Sequence, residues 1–382
     1  MPRIPRIVRT LIPLLALIAG SLAAAWPRQQ PASWTVDPRP TVTLGADEAD
    51  GGAMLETVVY ATRLPSGAIL VGDRGDFVLK QFTPDGKLQK SFARKGGGPG
   101  EVRFLGKMFR CGDSVYTYDI EEGHRMSVFT LDGRFVRAFR FRVPAGQQVP
   151  YQSACNAGGR FVHIGWENFR QDAKGGVYRA RVPVWLSRAD SSAPVIVDSV
   201  PGSERWGLVR DGQLRGAGPL PLGKQPVLAM GRTRAYIGTA DRFEILSYDA
   251  NGRPGAPLQR DEPSVPVTRD DIRAEIDRAV GGAEARREAI ERSYAEMTLP
   301  STLPPYTALL VDADDHVWVR SYPRGTGAVR WSVFSPAGRL VAEVAVPRHL
   351  EVYEIGRDYL LGRYLDPEEE IPQVRQYRLT RR

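Results

Sequence analysis

Apolar and polar residues alternate along most of this chain in short runs, and a small set of turn residues separates the runs. The alternation recurs in one phrase. It reads Val78-Leu79-Lys80-Gln81-Phe82-Thr83-Pro84-Asp85-Gly86-Lys87, then Met126-Ser127-Val128-Phe129-Thr130-Leu131-Asp132-Gly133-Arg134. It returns at Phe243 to Arg253 around Asn251-Gly252, and at Trp331 to Arg339 around Ala337-Gly338. A weaker copy is Val184 to Asp190. A period of two predicts half-buried strands, and Asp-Gly or Asn-Gly between two such runs predicts hairpins with primed turns.

A second pair of short strands precedes each hairpin. Its later members are Ala68 to Gly72, Val115 to Asp119, Phe161 to Gly165, Ala235 to Gly238, Val317 to Arg320 and Tyr359 to Arg363. Six units of about four strands, most of them near the roughly 40–50 residue propeller period, predict a six-bladed β-propeller, an all-β fold. The sixth unit stops at Val374 to Leu379 without an outer strand, and Trp34 to Leu44 is an orphan strand ahead of the first. Pairing the two closes the last blade and hides an edge. Between the fourth and fifth units, residues 264–302 break the pattern. Thr268 followed by Asp271 has the form of a capping box. Ile272 and Ile276, then Ala289, Ile290, Tyr294 and Met297, repeat at helical spacing on either side of Gly281-Gly282. This stretch is expected to be a helical hairpin.

The first 25 residues stand outside this scheme. Arg3, Arg6 and Arg9 precede an apolar run from Leu11 to Ala19, and Ala23-Ala24-Ala25 offers small residues for cleavage. Together they read as a secretory signal. The run is shorter than the roughly 20 apolar residues of a comfortable span, though an uncleaved anchor stays open. Residues 26–382 are then the propeller, periplasmic or secreted, with no further membrane span. Of the formal charge of +8, the three leader arginines account for three, and the rest is scattered among acids. Nucleic-acid binding would need a basic face with interleaved aromatics, so none is expected.

Strand order puts the loop after each second strand and the link between blades on one rim. Rim candidates for ligand contact are Asp73, Arg74, Arg94, Lys95, Asp119, Arg320 and Arg363. The segment Arg94-Lys95-Gly96-Gly97-Gly98-Pro99-Gly100-Glu101 has backbone donors suited to an anion, but lacks the Gly-Lys-Ser/Thr ending of a phosphate loop. It reads more simply as a sharp crossover. Equivalent rim positions hold two carboxylates in six, too few for a cation cage, and the four histidines do not converge. No metal or cofactor is expected. Trp166, Trp185, Trp318 and Trp331 read as blade-packing residues, and Glu368-Glu369-Glu370 as a solvated loop. Cys111 and Cys155 close matching strands of adjacent blades; the residues leave open a disulfide or two separate thiols.

The hairpin phrase, the Arg94 to Glu101 signature, and Leu303-Pro304-Pro305-Tyr306 leading into Leu309 to Asp314 resemble bacterial exported six-bladed propellers of the NHL/TolB-like kind. The resemblance covers about residues 50 to 382. Such a fold is a platform for unrelated functions. With no recognisable catalytic triad, the expectation is a monomeric, non-catalytic platform binding an envelope protein, peptide or glycan. The alternatives are a propeller enzyme (a metal-dependent lactonase, or a lyase or hydrolase) acting at the channel mouth, and a structural component of an envelope assembly.

Overall fold

The computed structural model describes residues 33–45, 53–147, 149–167, 174–190, 192–365 and 372–382. The leader and Glu368 to Glu370 lie outside the described residues. After β1 (Trp34–Leu44), a first sheet contains β2 (Val58–Arg63), β3 (Ile69–Asp73), β4 (Val78–Phe82) and β5 (Leu88–Phe92). A second contains β6 (Leu105–Cys111), β7 (Ser114–Asp119), β8 (Arg125–Thr130) and β9 (Phe135–Arg140). The third starts with β10 (Pro150–Cys155) and β11 (Arg160–Gly165), is interrupted by β12 (Gly176–Tyr178), and resumes with β13 (Arg181–Arg188) and β14 (Val195–Pro201). β15 (Arg205–Arg210) and β16 (Gln213–Pro219) pair with β12 in a separate three-stranded sheet. The next four-stranded sheet is β17 (Val227–Met230), β18 (Arg234–Gly238), β19 (Glu244–Asp249) and β20 (Leu258–Gln259). Helices α1 (Arg269–Val280) and α2 (Arg287–Ala295) follow, then β21 (Tyr306–Val311), β22 (Val317–Ser321), β23 (Val329–Phe334) and β24 (Leu340–Val346). The last sheet joins β25 (Leu350–Ile355), β26 (Tyr359–Leu365) and β27 (Pro372–Arg381) to β1, which lies outermost against β27. These four-stranded antiparallel sheets are arranged as in a β-propeller.

The hairpin turns differ from expectation in one respect. In each recurring phrase only the glycine adopts positive φ, as at Gly86 (φ 93), Gly133 (φ 85), Gly252 (φ 80) and Gly338 (φ 81). Its N–H donates three residues back, for example from Gly86 to Thr83 O at 3.0 Å, while Thr83 N–H donates to Lys87 O at 2.8 Å. This is a three-residue loop with a glycine bulge, not a two-residue primed turn. Thr83 Oγ1 also accepts from Lys87 N–H at 3.0 Å, which explains the preference for a short oxygen-bearing side chain there. The primed geometry occurs instead at Asp211 (φ 53) and Gly212 (φ 71), where Arg210 faces Gln213.

Middle strands are buried on both faces (all five residues of β3), whereas outer strands such as β9 are largely exposed. A strand covered on both faces needs neighbours on both sides. Among the described residues, six apolar clusters supply them, each shared by two adjacent sheets. In one, Phe243 and Ile245 of the fourth sheet meet Tyr306, Val319 and Phe334 of the fifth. In another, Leu361 and Val374 of the last sheet meet Val58, Ile69 and Phe82 of the first. First strands touch in order, β2 with β6, β6 with β10, β10 with β17, β17 with β21 and β21 with β25, and β25 returns to β2. Each fully buried aliphatic or aromatic side chain contributes about 1.5–3 kcal/mol, so these seams dominate the ring's stability. A disulfide links Cys111 and Cys155 across the seam between the second and third sheets, with Cα atoms 5.8 Å apart. That separation lies within the usual bridging range.

Two insertions decorate one rim. The helical one has a closed neck, since Pro266 pairs with Thr302 and Val267 N–H donates to Ser301 O at 3.0 Å. Thr268 caps α1: its Oγ1 accepts from Asp271 N–H at 3.3 Å, and Asp271 Oδ2 accepts from Thr268 N–H at 2.8 Å. Gly281 ends α1 in the left-handed region. The apolar stripe is only half covered; Ile272, Ile276, Ile290, Tyr294 and Met297 are all half-buried, and Ala289 is exposed. The three-stranded sheet is a second insertion, so residues 264–302 are not the only one. Its hairpin tip reaches the helices through an Arg210–Glu296 ion pair of 3.6 Å.

Candidate functional site

The seven rim candidates are used in different ways. Asp73 is fully buried, and its carboxylate accepts from the backbone N–H of Thr57 (2.9 Å), Glu56 (3.2 Å) and Gly75 (3.2 Å). Lys80, itself buried, lies 3.2 Å from the same carboxylate. Asp119 repeats the device one sheet on, accepting from Arg103 (2.6 Å), Phe104 (3.3 Å), Glu121 (3.1 Å) and Glu122 (3.2 Å). Both aspartates tie the incoming link to the end of the second strand. Neither has a free oxygen for a ligand.

Arg74 stacks over Phe104 and Lys95 over Phe77, with centroid distances of 5.1 and 4.6 Å. Arg94 pairs with Glu101 at 2.8 Å. The glycine segment folds on itself: Gly98 N–H donates to Glu101 Oε2 at 2.8 Å and Gly96 N–H to Val102 O at 3.0 Å. The Gly98 bond first, then Arg94, hold the Glu101 carboxyl below the usual range. Those donors are spent inside the loop, so the segment is a crossover. Arg363 pairs with Glu351 at 2.7 Å.

Arg320 is different. It lines a cleft of about 1030 Å³ on the insertion-bearing rim. One wall is the Pro219–Gly223 link with Gln225. The second is α1, through Asp271, Ala274, Glu275 and Arg278, together with Tyr294 of α2. The floor is Tyr306, Thr307 and Arg320, and the far side is the Tyr322–Thr326 loop with Arg348. Arg324 locks α1 in place with a two-pronged contact to Asp271 (3.0 and 2.9 Å). Burial raises the Asp271 pKa, but bonds from Arg324 and Thr268 outweigh it and leave the carboxyl below its ordinary value. Burial pushes the Tyr322 hydroxyl up to about 12.

A recess of about 130 Å³ adjoins the cleft, sharing Pro219 and Gln225. Trp166 stands there 46% exposed, with Tyr151 edge-on at 4.6 Å. The expectation that all four tryptophans pack blades therefore holds for Trp185, Trp318 and Trp331, which are buried, and not for Trp166.

The histidines are dispersed. His163 is buried between Ser153 Oγ and Ser187 Oγ, each 2.8 Å from a ring nitrogen, and burial followed by the nearby Lys107 takes its pKa down to about 3. His124 Nδ1 lies 3.0 Å from Tyr118 Oη, and His316 lies 3.2 Å from Asp312. His349 is exposed against Tyr364. Among the described residues, no group of three or more His, Cys, Asp or Glu side chains is placed to hold a metal ion. Among them, too, no helix is long and apolar enough to cross a membrane.

Sequence reasoning found Arg320 but not Arg348, Arg324, Tyr322 or Trp166. These lie in links and loops outside the repeating phrase. Only the Thr268–Asp271 box pointed toward them.

No protein-family model matches the chain, and no curated protein matches its sequence. Solved structures do resemble it. A DUF4221 family member from Bacteroides vulgatus superposes with a TM-score of 0.53 at 8% identity, over 92% of this chain and 100% of its own. A gluconolactonase from Xanthomonas campestris gives 0.43 at 12% identity, over 93% and 99%. Regucalcin, a calcium-binding protein from Agrobacterium tumefaciens, gives 0.42 at 11% identity, over 86% and 92%. The neighbours are β-propeller proteins, and at such identities the likeness is one of fold alone.

Proposed function

We propose that the chain is an exported six-bladed β-propeller of the NHL/TolB-like kind, acting without catalysis as a platform for a protein, peptide or glycan. Six inter-sheet clusters and the cyclic contact of first strands support the blade count. The observation that carries the binding role is the rim cleft of about 1030 Å³, walled jointly by blade residues and the helical insertion. Clefts of this size suit ligand binding.

The closed neck at Pro266 and Thr302 makes a clean test. Replacing residues 266–302 with a short glycine-serine linker leaves the sheets folded by circular dichroism and abolishes capture of a ligand from glycan and peptide panels. Unchanged capture overturns the placement. The export reading predicts a mature product beginning at Trp26; full-length protein confined to membranes contradicts it.

A further inference from the structure

Every acid on the cleft wall formed by α1 has a basic partner. Asp271 is held by Arg324, Glu275 by Arg278, and Asp270 by Arg273. Across from them, Arg320 and Arg348 have none. Arg320 donates to Thr307 Oγ1 at 3.1 Å, and Arg348 to the Arg324 carbonyl at 3.2 Å. Neither makes an ion pair among the described residues. Glu351, whose charge reaches Arg320, is engaged by Arg363 at 2.7 Å. Burial, then the like charge of Arg348, hold the Arg320 guanidinium below the usual arginine range.

Two half-buried guanidiniums in one another's field are costly without a counterion. Both line the cleft, and with one hydrogen bond apiece among the described residues each guanidinium keeps further N–H donors suited to the two oxygens of a carboxylate or phosphate. With the acids opposite already neutralised, the cleft is left with two uncompensated positive charges, a match for one or two anionic groups rather than for a polyphosphate. Beyond the shared Pro219 and Gln225, the exposed face of Trp166 offers an apolar surface for a ring. Resting on the reading of the cleft as the binding face, we infer that its ligand is an acidic carbohydrate, with a uronate carboxylate between Arg320 and Arg348 and a neighbouring sugar ring on Trp166.

The test titrates the purified protein with trigalacturonate and with its methyl ester, followed by calorimetry and tryptophan fluorescence at low salt. The acid binds, and the ester binds about tenfold more weakly or worse, since charge-assisted bonds are lost. Arg320→Gln and Arg348→Gln each weaken the acid about tenfold without changing the ester. Trp166→Ala weakens both. Thermal unfolding of each variant confirms that it is folded. Equal binding of acid and ester, or indifference to the arginine variants, overturns the anion site while leaving the platform reading intact. Capture of a peptide instead of either sugar overturns the carbohydrate class. If neither glycans nor peptides bind and removing residues 266–302 changes nothing, the proposed function itself falls.

Discussion

At the ends of β3 and β7, two aspartates are almost completely buried and give all their capacity to the backbone that enters each sheet. At the end of β22 and in the link before β25, two arginines face a cleft with one hydrogen bond apiece. Both pairs sit on the same rim, and sequence position alone sets Arg320 level with the two aspartates while passing over Arg348. What separates them is whether their bonding groups are already used. A buried carboxylate with three or four backbone donors is part of the frame. A cation with unused donors is poised for something the free protein does not supply.

Removing a frame residue gives the largest effect. Asp73→Ala leaves three backbone N–H groups without their acceptor and takes one of two carboxylates from the buried Lys80, which keeps Asp76 and the Met54 carbonyl. Unfolding in urea should therefore show a loss of about 3–5 kcal/mol. A loss below about 1 kcal/mol would place Asp73 with the arginines rather than against them.

The disulfide comes next, on the opposite rim. Its two cysteines are separated by 44 positions, and replacing both with serine should lower stability by about 2–4 kcal/mol. Ligand capture at the cleft should be unaffected, because the bridge joins the second and third sheets while Arg320 and Arg348 belong to the fifth and its link to the sixth. A parallel loss of capture would mean that the two rims are coupled.

The contrast also explains what was legible beforehand. Strands and blades were readable because Asp85-Gly86 and its counterparts repeat a turn that every copy needs. The capping box was readable because Thr268 and Asp271 sit three apart before a helical stripe. The three-stranded sheet was not, since β12 is three residues long and pairs with a strand beginning at Arg205. A signal did exist there, in the alternation of Trp206 to Leu214 around Asp211-Gly212. The meaning of Asp73, Arg320 and Arg348 was unreadable for a deeper reason. Partners that decide it come from distant chain positions, as Met54 O does for Lys80 and Arg324 O for Arg348.

Asp271 lies between the two classes, being both a helix cap and one wall of the cleft. Asp271→Ala should cost about 1 kcal/mol, localised to the insertion, and hydrogen exchange over residues 268–280 reads it. Its folded pKa is lowered, so the tether is fully present above the ordinary carboxylate value and is lost as pH falls through the folded one. Exchange in α1 should therefore rise on acidification before the sheets open. Simultaneous opening would show that the insertion is integral to the frame.

The smallest effect on stability, and the one of opposite sign, is expected at Arg348. Replacing it with glutamine removes one of two like charges held in a half-buried cleft and sacrifices a single bond to the Arg324 carbonyl. Repulsion and burial relieved together offset that bond, so stability should stay within about 0.5 kcal/mol of the parent or rise slightly. A rise on losing a charge is the mark of a residue kept for binding at some expense to the fold. Low salt should enlarge the gain and high salt erase it, because screening already weakens the repulsion. A salt-independent loss of 2 kcal/mol or so would instead assign Arg348 to the frame, as for Asp73.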